Sequence, residues 1–181
     1  MPLDPAVAIL DPDDVLAELK LDDSEYARIE RIVNAASARL ERAANTVFRT
    51  RAVTKTFDGD GTPVLDLPGP AIAVHWVTVD GKVQDAAAYV VDTDLGRVIA
   101  TGGWPLGLRN IQVNATLGYD PVPHEVREAC LLLVRRMASP SSDLHSEHIG
   151  DYGYTKFEPS GEGDLPDDVE ALVLPFRRWR F

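Results

Sequence analysis

The spacing of apolar residues changes twice along this chain of 181 residues. From Tyr26 to Val47, apolar or small residues recur three or four positions apart, which is the spacing of one face of an α-helix. From about residue 50 to residue 119 the period is two, as in half-buried β-strands. The helical spacing then returns after Pro121. The chain is therefore predicted to be an α+β protein in which helices are interrupted by strands.

We expect the helices to form a bundle that makes up most of the fold. The expected helices are a long one near 23–45, a core helix near 123–138 and a C-terminal helix near 166–174. The strands between them are expected to form an antiparallel β module near 50–119. The domain division that follows is a helical core of residues 1–49 plus 120–181, which carries a C-terminal tail, and an inserted module of residues 50–119.

Local signals support these boundaries. Asp11 precedes Pro12 and two further acids, which is a favourable start for a short helix. Asp80-Gly81 lies between β-forming residues and is the strongest hairpin signal in the chain. Between Arg109 and Tyr119, apolar and polar residues alternate, which predicts a strand with one buried face.

Charge and cysteine content exclude several classes of protein. The chain has 29 acidic residues against 18 Lys plus Arg, a net charge of −11, so tight binding to nucleic acid is not expected. A single cysteine, Cys130, excludes an internal disulfide, and its position on an apolar helix face favours an inert core thiol. No targeting segment and no membrane span are apparent, so we expect a soluble protein made in the cytosol.

The densest group of metal-ligand residue types lies in one short segment. Its members are Asp143, His145, Glu147 and His148. The spacing differs from the His-Glu-x-x-His of zinc hydrolases, and the Ser and Pro residues upstream favour a solvated loop.

Asp58-Gly-Asp-Gly61 resembles the start of a calcium loop but lacks the closing Glu, which favours a turn. We therefore assign no catalytic residue, no metal and no cofactor.

Several aromatic and basic residues are candidates for contacts with other proteins. Three arginines and two aromatics stand within the last five residues, Arg177 to Phe181, directly after an acidic stretch. Arg and Trp are frequent anchors at interfaces, although a frayed basic tail is the alternative. Trp104, on a glycine-rich loop expected to be exposed, and Tyr152 and Tyr154 are further interface candidates.

The order of the segments resembles that of the head–tail connector (adaptor) proteins of tailed phages. The resemblance is carried by the following segments: Val15-Leu-Ala-Glu-Leu19, Asp22-Asp23-Ser24-Glu25, Leu40-Glu-Arg-Ala-Ala44, Phe57-Asp-Gly-Asp-Gly61, Val64-Leu-Asp-Leu-Pro68, Val77-Thr-Val-Asp-Gly81, Ile111 to Tyr119, Val122 to Leu133, Ile149-Gly-Asp-Tyr152 and Leu172-Val-Leu-Pro-Phe-Arg-Arg178. It extends over nearly the whole chain and rests on the order and spacing of the segments. The segment before Gly150-Asp151-Tyr152 is longer and richer in histidine than the family pattern.

The resemblance implies a structural virion protein and not an enzyme. Such proteins are assembled in the host cytoplasm and form a ring of about twelve copies beneath the portal protein, in the neck of the virion. The ring extends the channel through which double-stranded DNA passes without specific binding, and it offers a surface to the next neck or tail-completion protein. The implied portal contacts are Leu174, Phe176, Arg177, Arg178, Trp179, Arg180 and Phe181. The alternatives are a small metal-dependent hydrolase that uses the His145/His148 loop and a general protein-binding module.

Overall fold

A computed structural model describes residues 7–139 and 165–178 and has an α+β fold, as the spacing of apolar residues predicts. The helices are α1 (Pro12–Leu19), α2 (Tyr26–Ala44), α3 (His124–Ala138) and α4 (Asp167–Val173). The strands are β1 (Arg51–Gly59), β2 (Val64–Asp66), β3 (Ala71–Val79), β4 (Lys82–Val83), β5 (Tyr89–Asp92), β6 (Arg97–Ala100) and β7 (Gly107–Leu117). Short 3₁₀ turns cover Asp23–Glu25, Ala86–Ala88 and Leu174–Phe176.

The helix boundaries follow from local chemistry. The Asp11 carboxylate accepts a hydrogen bond from the Asp13 backbone N–H at 3.0 Å and caps α1, as the sequence predicts. Asn45 ends α2 in the left-handed conformation, with φ of 50°, which Asn tolerates better than most residues. The predicted apolar stripe is buried over most of its length, at Ile29, Val33, Ala36, Leu40 and Val47.

The strands form two antiparallel sheets that share one core. The larger sheet has the order β1-β7-β3-β4 and the smaller sheet has the order β2-β6-β5. Both sheets contribute to one cluster of buried residues, including Val77 and Ile111 from the larger sheet and Leu65 and Val98 from the smaller sheet. The β module is therefore a small two-layer sandwich. The predicted hairpin connects β3 and β4, and Asp80 and Gly81 both have positive φ.

The helices bury a second, separate cluster. It is built from α1, α2, α3 and α4 and contains Phe48, which lies just beyond α2. The neighbouring Val47 belongs to the β cluster, so the chain passes from one core to the other between these two residues. The backbone N–H of Val47 donates to the Pro68 carbonyl at 2.7 Å and fixes this crossing point. The inserted β module thus begins at residues that both cores hold in place.

The expectation of a mainly helical bundle is not confirmed. Within the described ranges, strand residues are about as common as helical ones, because the insertion folds into seven strands in two sheets. None of the helices in those ranges is long and apolar enough to cross a bilayer.

Candidate docking surface at the C-terminal segment

The segment after α4 lies at the junction between the helical core and the β module. Pro175 ends regular helix, and the chain continues as a 3₁₀ turn over Leu174–Phe176. The Phe176 ring packs edge-on against two aromatics, with centroid distances of 6.0 Å to Phe48 and 5.9 Å to Tyr119. Burial raises the pKa of Tyr119, and the nearby Arg178 charge partly offsets that rise. Phe176 thus belongs in part to the fold of its own chain.

Arg178 contacts both modules. Its guanidinium donates to the Leu67 carbonyl at 2.6 Å and to the Leu95 carbonyl, which lie in two separate turns of the β module. Its backbone N–H donates to the Ala44 carbonyl at 2.8 Å, and Asn45 Nδ2 donates to its carbonyl at 3.2 Å. Burial lowers the pKa of this half-buried arginine from its ordinary value. Arg178 therefore links the helical core to the β module at the end of the C-terminal range that the structure describes.

Two other predicted residues of this segment face outward. The Leu174 side chain is 53% exposed, although it directly follows the apolar face of α4. The Arg177 guanidinium lies 3.3 Å from Glu170 and remains largely exposed. Trp179, Arg180, Phe181, Tyr152 and Tyr154 lie outside the described residues. The described part of this segment thus combines an exposed Leu174 with an Arg178 that is hydrogen-bonded to both modules.

The Trp104 side chain is buried although its loop is exposed, which corrects the expectation of an exposed interface anchor there. Its side chain is only 4% exposed and belongs to the core shared by the two sheets. Its backbone N–H donates to the Thr62 carbonyl at 2.9 Å, which draws the glycine-rich loop down onto the sandwich. The indole Nε1 is buried without a hydrogen-bond partner among the described residues. The ring fills the end of the β core and has little surface to offer a partner.

The chemical groups considered in the sequence analysis have structural roles where they are described. Cys130 is buried, and burial raises the pKa of its thiol to about 12, so it is neutral at physiological pH. Asp58 accepts from the Arg109 backbone N–H at 2.5 Å, and Asp60 accepts from Thr62, so both carboxylates hold turns. Within 7–139 and 165–178, no three His, Cys, Asp or Glu residues are grouped to hold a metal ion. Asp143, His145, Glu147 and His148 lie outside those ranges.

One feature next to the C-terminal segment was not predicted from the sequence. A groove of about 650 Å³ runs along the open side of the sandwich, between β1 and β2, and Arg177 and Arg178 line one end of it. Its apolar lining includes Phe57 and Leu65. The groove forms because β1 and β2 are the edge strands of the two sheets at this side, a juxtaposition that depends on strand order. No local motif encodes that order, so the groove has no signal in the sequence.

The fold matches chains from solved particles over its whole length. A chain from the virion of a native gene transfer agent particle is similar at a TM-score of 0.71 and 18% identity, covering 100% of this chain and 94% of that chain. The predicted resemblance to proteins of phage-like particles is therefore confirmed as a shared fold. A chain from the neck of the native particle, computed with C12 symmetry, is similar at a TM-score of 0.66 and 17% identity. That match covers 100% of this chain and 94% of that chain.

A third chain extends the same finding. A chain from the neck of the empty particle, computed with C6 symmetry, is similar at a TM-score of 0.65 and 20% identity. That match covers 100% of this chain and 95% of that chain. No protein-family model matches the sequence, and no curated protein matches it. The likeness to the neck chains is thus one of three-dimensional structure, with the helices and the inserted β module aligned together.

Proposed function

We propose that this protein is a head–tail connector, a structural protein of a virion neck that forms a ring beneath the portal. The observation that carries the proposal is the shared fold over the full length of chains from a gene transfer agent neck. Those necks were computed with sixfold and twelvefold symmetry, which supports a ring of copies. A ring requires two different faces on each copy. A protein with a helical core and a separate β sandwich can supply both.

The portal contact is proposed for the C-terminal segment. Leu174 and Arg177 are the exposed members of the set, and Trp179, Arg180 and Phe181 follow directly after the fixed Arg178. Phe176 packs on Phe48, and Arg178 is hydrogen-bonded to the β module. Their proposed contribution to docking is to fix the orientation of the C-terminal segment. An aromatic and basic end fits an apolar surface with acidic edges on the portal.

The remaining roles follow from charge and architecture. A net charge of −11 suits the wall of a channel that DNA must pass without being held, since phosphates bind clustered Lys and Arg. The β module, which leaves several large apolar side chains exposed, is proposed as the surface for neighbouring copies and for the next neck or tail-completion protein. A virion neck assembled in the host cytoplasm is the location that this function requires.

Co-sedimentation with the portal protein of the same particle tests the docking role. Leu174→Asp, and separately removal of residues 179–181, should lower portal binding at least about tenfold, while thermal unfolding stays within a few degrees of the parent. Val83→Asp is the matched control, because Val83 is 71% exposed in the β module, so it should bind the portal normally. Normal binding by both C-terminal variants would contradict the proposed portal contact.

A further inference from the structure

The groove between β1 and β2 is large enough for aromatic side chains. The apolar residues that line it are Phe57, Val64, Leu65, Leu67 and Leu95. Leu95 is 50% exposed, and Phe57 and Val64 are partly exposed. The groove has a volume of about 650 Å³, and sites that bury small ligands usually have roughly 300–1,000 Å³. A groove with this lining and size is suited to one or two aromatic rings.

The chain reaches one end of this groove at Arg178. Arg178 lines the groove, and so does Asn45, whose Nδ2 donates to the Arg178 carbonyl at 3.2 Å. The Arg178 guanidinium donates to the carbonyls of Leu67 and Leu95, which also line the groove. The peptide bond that joins Arg178 to residue 179 therefore lies at the groove, next to Asn45.

The three residues that follow Arg178 have the chemistry that this groove suits. They are Trp179, Arg180 and Phe181, which lie outside the described ranges, and three residues in an extended conformation span up to about 10 Å. Side chains alternate between the two sides of an extended segment, so Trp179 and Phe181 share one side. Both rings can then contact the apolar lining while Arg180 stays in water. We call these three residues the Trp-Arg-Phe segment.

The point of attachment, and not charge, selects the occupant of the groove. The charges along the groove are mixed, because three aspartates line it together with Lys55 and three arginines, and Arg97 Nε lies 2.7 Å from the Asp66 carboxylate. A short flexible connection gives an attached segment an effective concentration in the millimolar range. The Trp-Arg-Phe segment is joined to the groove through Arg178, so even a weak intrinsic affinity is sufficient for it to bind there.

We propose that, before docking, the Trp-Arg-Phe segment binds in the groove of its own chain, and that the portal displaces it. The proposal rests on the portal contact proposed above, which uses the same residues, and adds how that contact is regulated. In the free protein the groove covers both aromatic rings and keeps them from other apolar surfaces. The portal competes with the groove, so its apparent affinity is the intrinsic affinity multiplied by the fraction of molecules whose segment is free.

Fluorine NMR of the protein alone tests the binding in the groove. The chain has three tryptophans, and after labelling with fluorotryptophan the resonance of residue 179 is the one missing from Trp179→Phe. In the parent this resonance should be displaced from that of a labelled Arg-Arg-Trp-Arg-Phe peptide, and equally so at low and high protein concentration. A resonance at the peptide position would overturn the proposal. A displacement seen only at high concentration would also overturn it, because the segment would then bind another copy.

Leu95→Ser and Val90→Ser are a matched pair of variants for the groove. Leu95 lines the groove, whereas Val90 is 65% exposed on the smaller sheet and is not among the described residues that line it. Both side chains are largely exposed, so both variants should unfold within a few degrees of the parent. Leu95→Ser should move the resonance of residue 179 about a third of the way or more towards the peptide position, because apolar contact area is lost. Val90→Ser should leave it in place, and equal responses would contradict binding in this groove.

Portal binding tests the competition and separates it from the proposed function. Leu95→Ser should bind the portal about threefold more tightly than Val90→Ser, because a larger fraction of its molecules has a free segment. Equal affinities would overturn the competition while the portal contact stands. A parent protein with a displaced resonance of residue 179 but no affinity for the portal would instead contradict the proposed portal contact, and with it the displacement by the portal.

Discussion

Arg178 has an unusual environment among the charged residues that the structure describes at the C-terminal end. The described hydrogen bonds of its guanidinium go to the carbonyls of Leu67 and Leu95, which are neutral acceptors in two turns of the β module. Hydrogen bonds from a charged donor are stronger than those between neutral groups, and losing one leaves a carbonyl unsatisfied. Arg178 therefore contributes to the attachment of the β module to the helical core.

Arg178→Met should lower the free energy of unfolding by about 2 kcal/mol, because the apolar stem is kept while the two carbonyls lose their donor. Urea unfolding followed by circular dichroism measures this change. Arg177→Met is the matched control, since its exposed pair with Glu170 is worth less than about 1 kcal/mol. Equal losses for the two variants would show that Arg178 has no special role at the junction.

Cys130 makes stability depend on pH above neutrality. Burial raises its pKa from an ordinary value of 9.0 to about 12 in the folded protein. The unfolded thiol therefore ionises first, so the contribution to folding is complete below pH 9 and is lost as pH rises towards 12. Between these values the parent should lose up to about 1.4 kcal/mol per pH unit more than Cys130→Ala. Parallel pH profiles for the two proteins would contradict this prediction.

Single residues were predicted well where their role depends on near neighbours. Asp11 was predicted to cap α1 from its place at the start of that helix, and Cys130 was predicted to be buried from its place on the apolar face of α3. The structure confirms the cap and the burial. Trp104 was wrongly expected to be exposed, because its burial depends on two sheets that meet around it. The contacts of Arg178 involve residues 83 and 111 positions away, which no local pattern encodes.

At the scale of elements, the turn that contains Gly96 connects the smaller sheet to the junction. Gly96 has φ of 57°, and a Cβ built there would lie 1.9 Å from the Gly69 carbonyl oxygen. The Leu67 N–H donates to the Gly96 carbonyl at 2.8 Å, so this close packing holds two turns together. The same two turns contain Leu67 and Leu95, which accept from Arg178.

Gly96→Ala should cost about 3 kcal/mol or more, because it combines a left-handed backbone with a clash against a carbonyl. Gly81→Ala is the matched control, since φ there is 75° but no atom lies within 4 Å of an added Cβ. It should cost only about 1 kcal/mol. Thermal unfolding of both variants measures the difference, and similar melting temperatures would indicate that the Gly96 turn rearranges at little cost.

The elements themselves were largely predictable, whereas their arrangement was not. The periodicities of 3.6 and 2 predicted α2, α3, β7 and the β3–β4 hairpin close to their observed bounds. The balance between helix and strand was misjudged, because the two sheets of the insertion contain about as many residues as the described helices. The groove depends on strand order and register, which are set by the packing of the whole sandwich.

At the scale of the whole molecule, the net charge, the two-module fold and the proposed ring are consistent with one function. In the proposed function, the acidic excess reduces affinity for DNA, the C-terminal segment contacts the portal, and the β sandwich offers surfaces to neighbouring copies. We propose that each of these features serves a ring around a DNA channel. Their combination in one chain is the reason to prefer a connector over a general binding module.

Electron microscopy of the purified protein mixed with the portal of the same particle tests this central claim most directly. The account predicts a ring on one face of the portal, coaxial with its channel, of about twelve copies, with the C-terminal ends towards the portal. Discrete heterodimers, or portals without added density at saturating protein concentration, would contradict it.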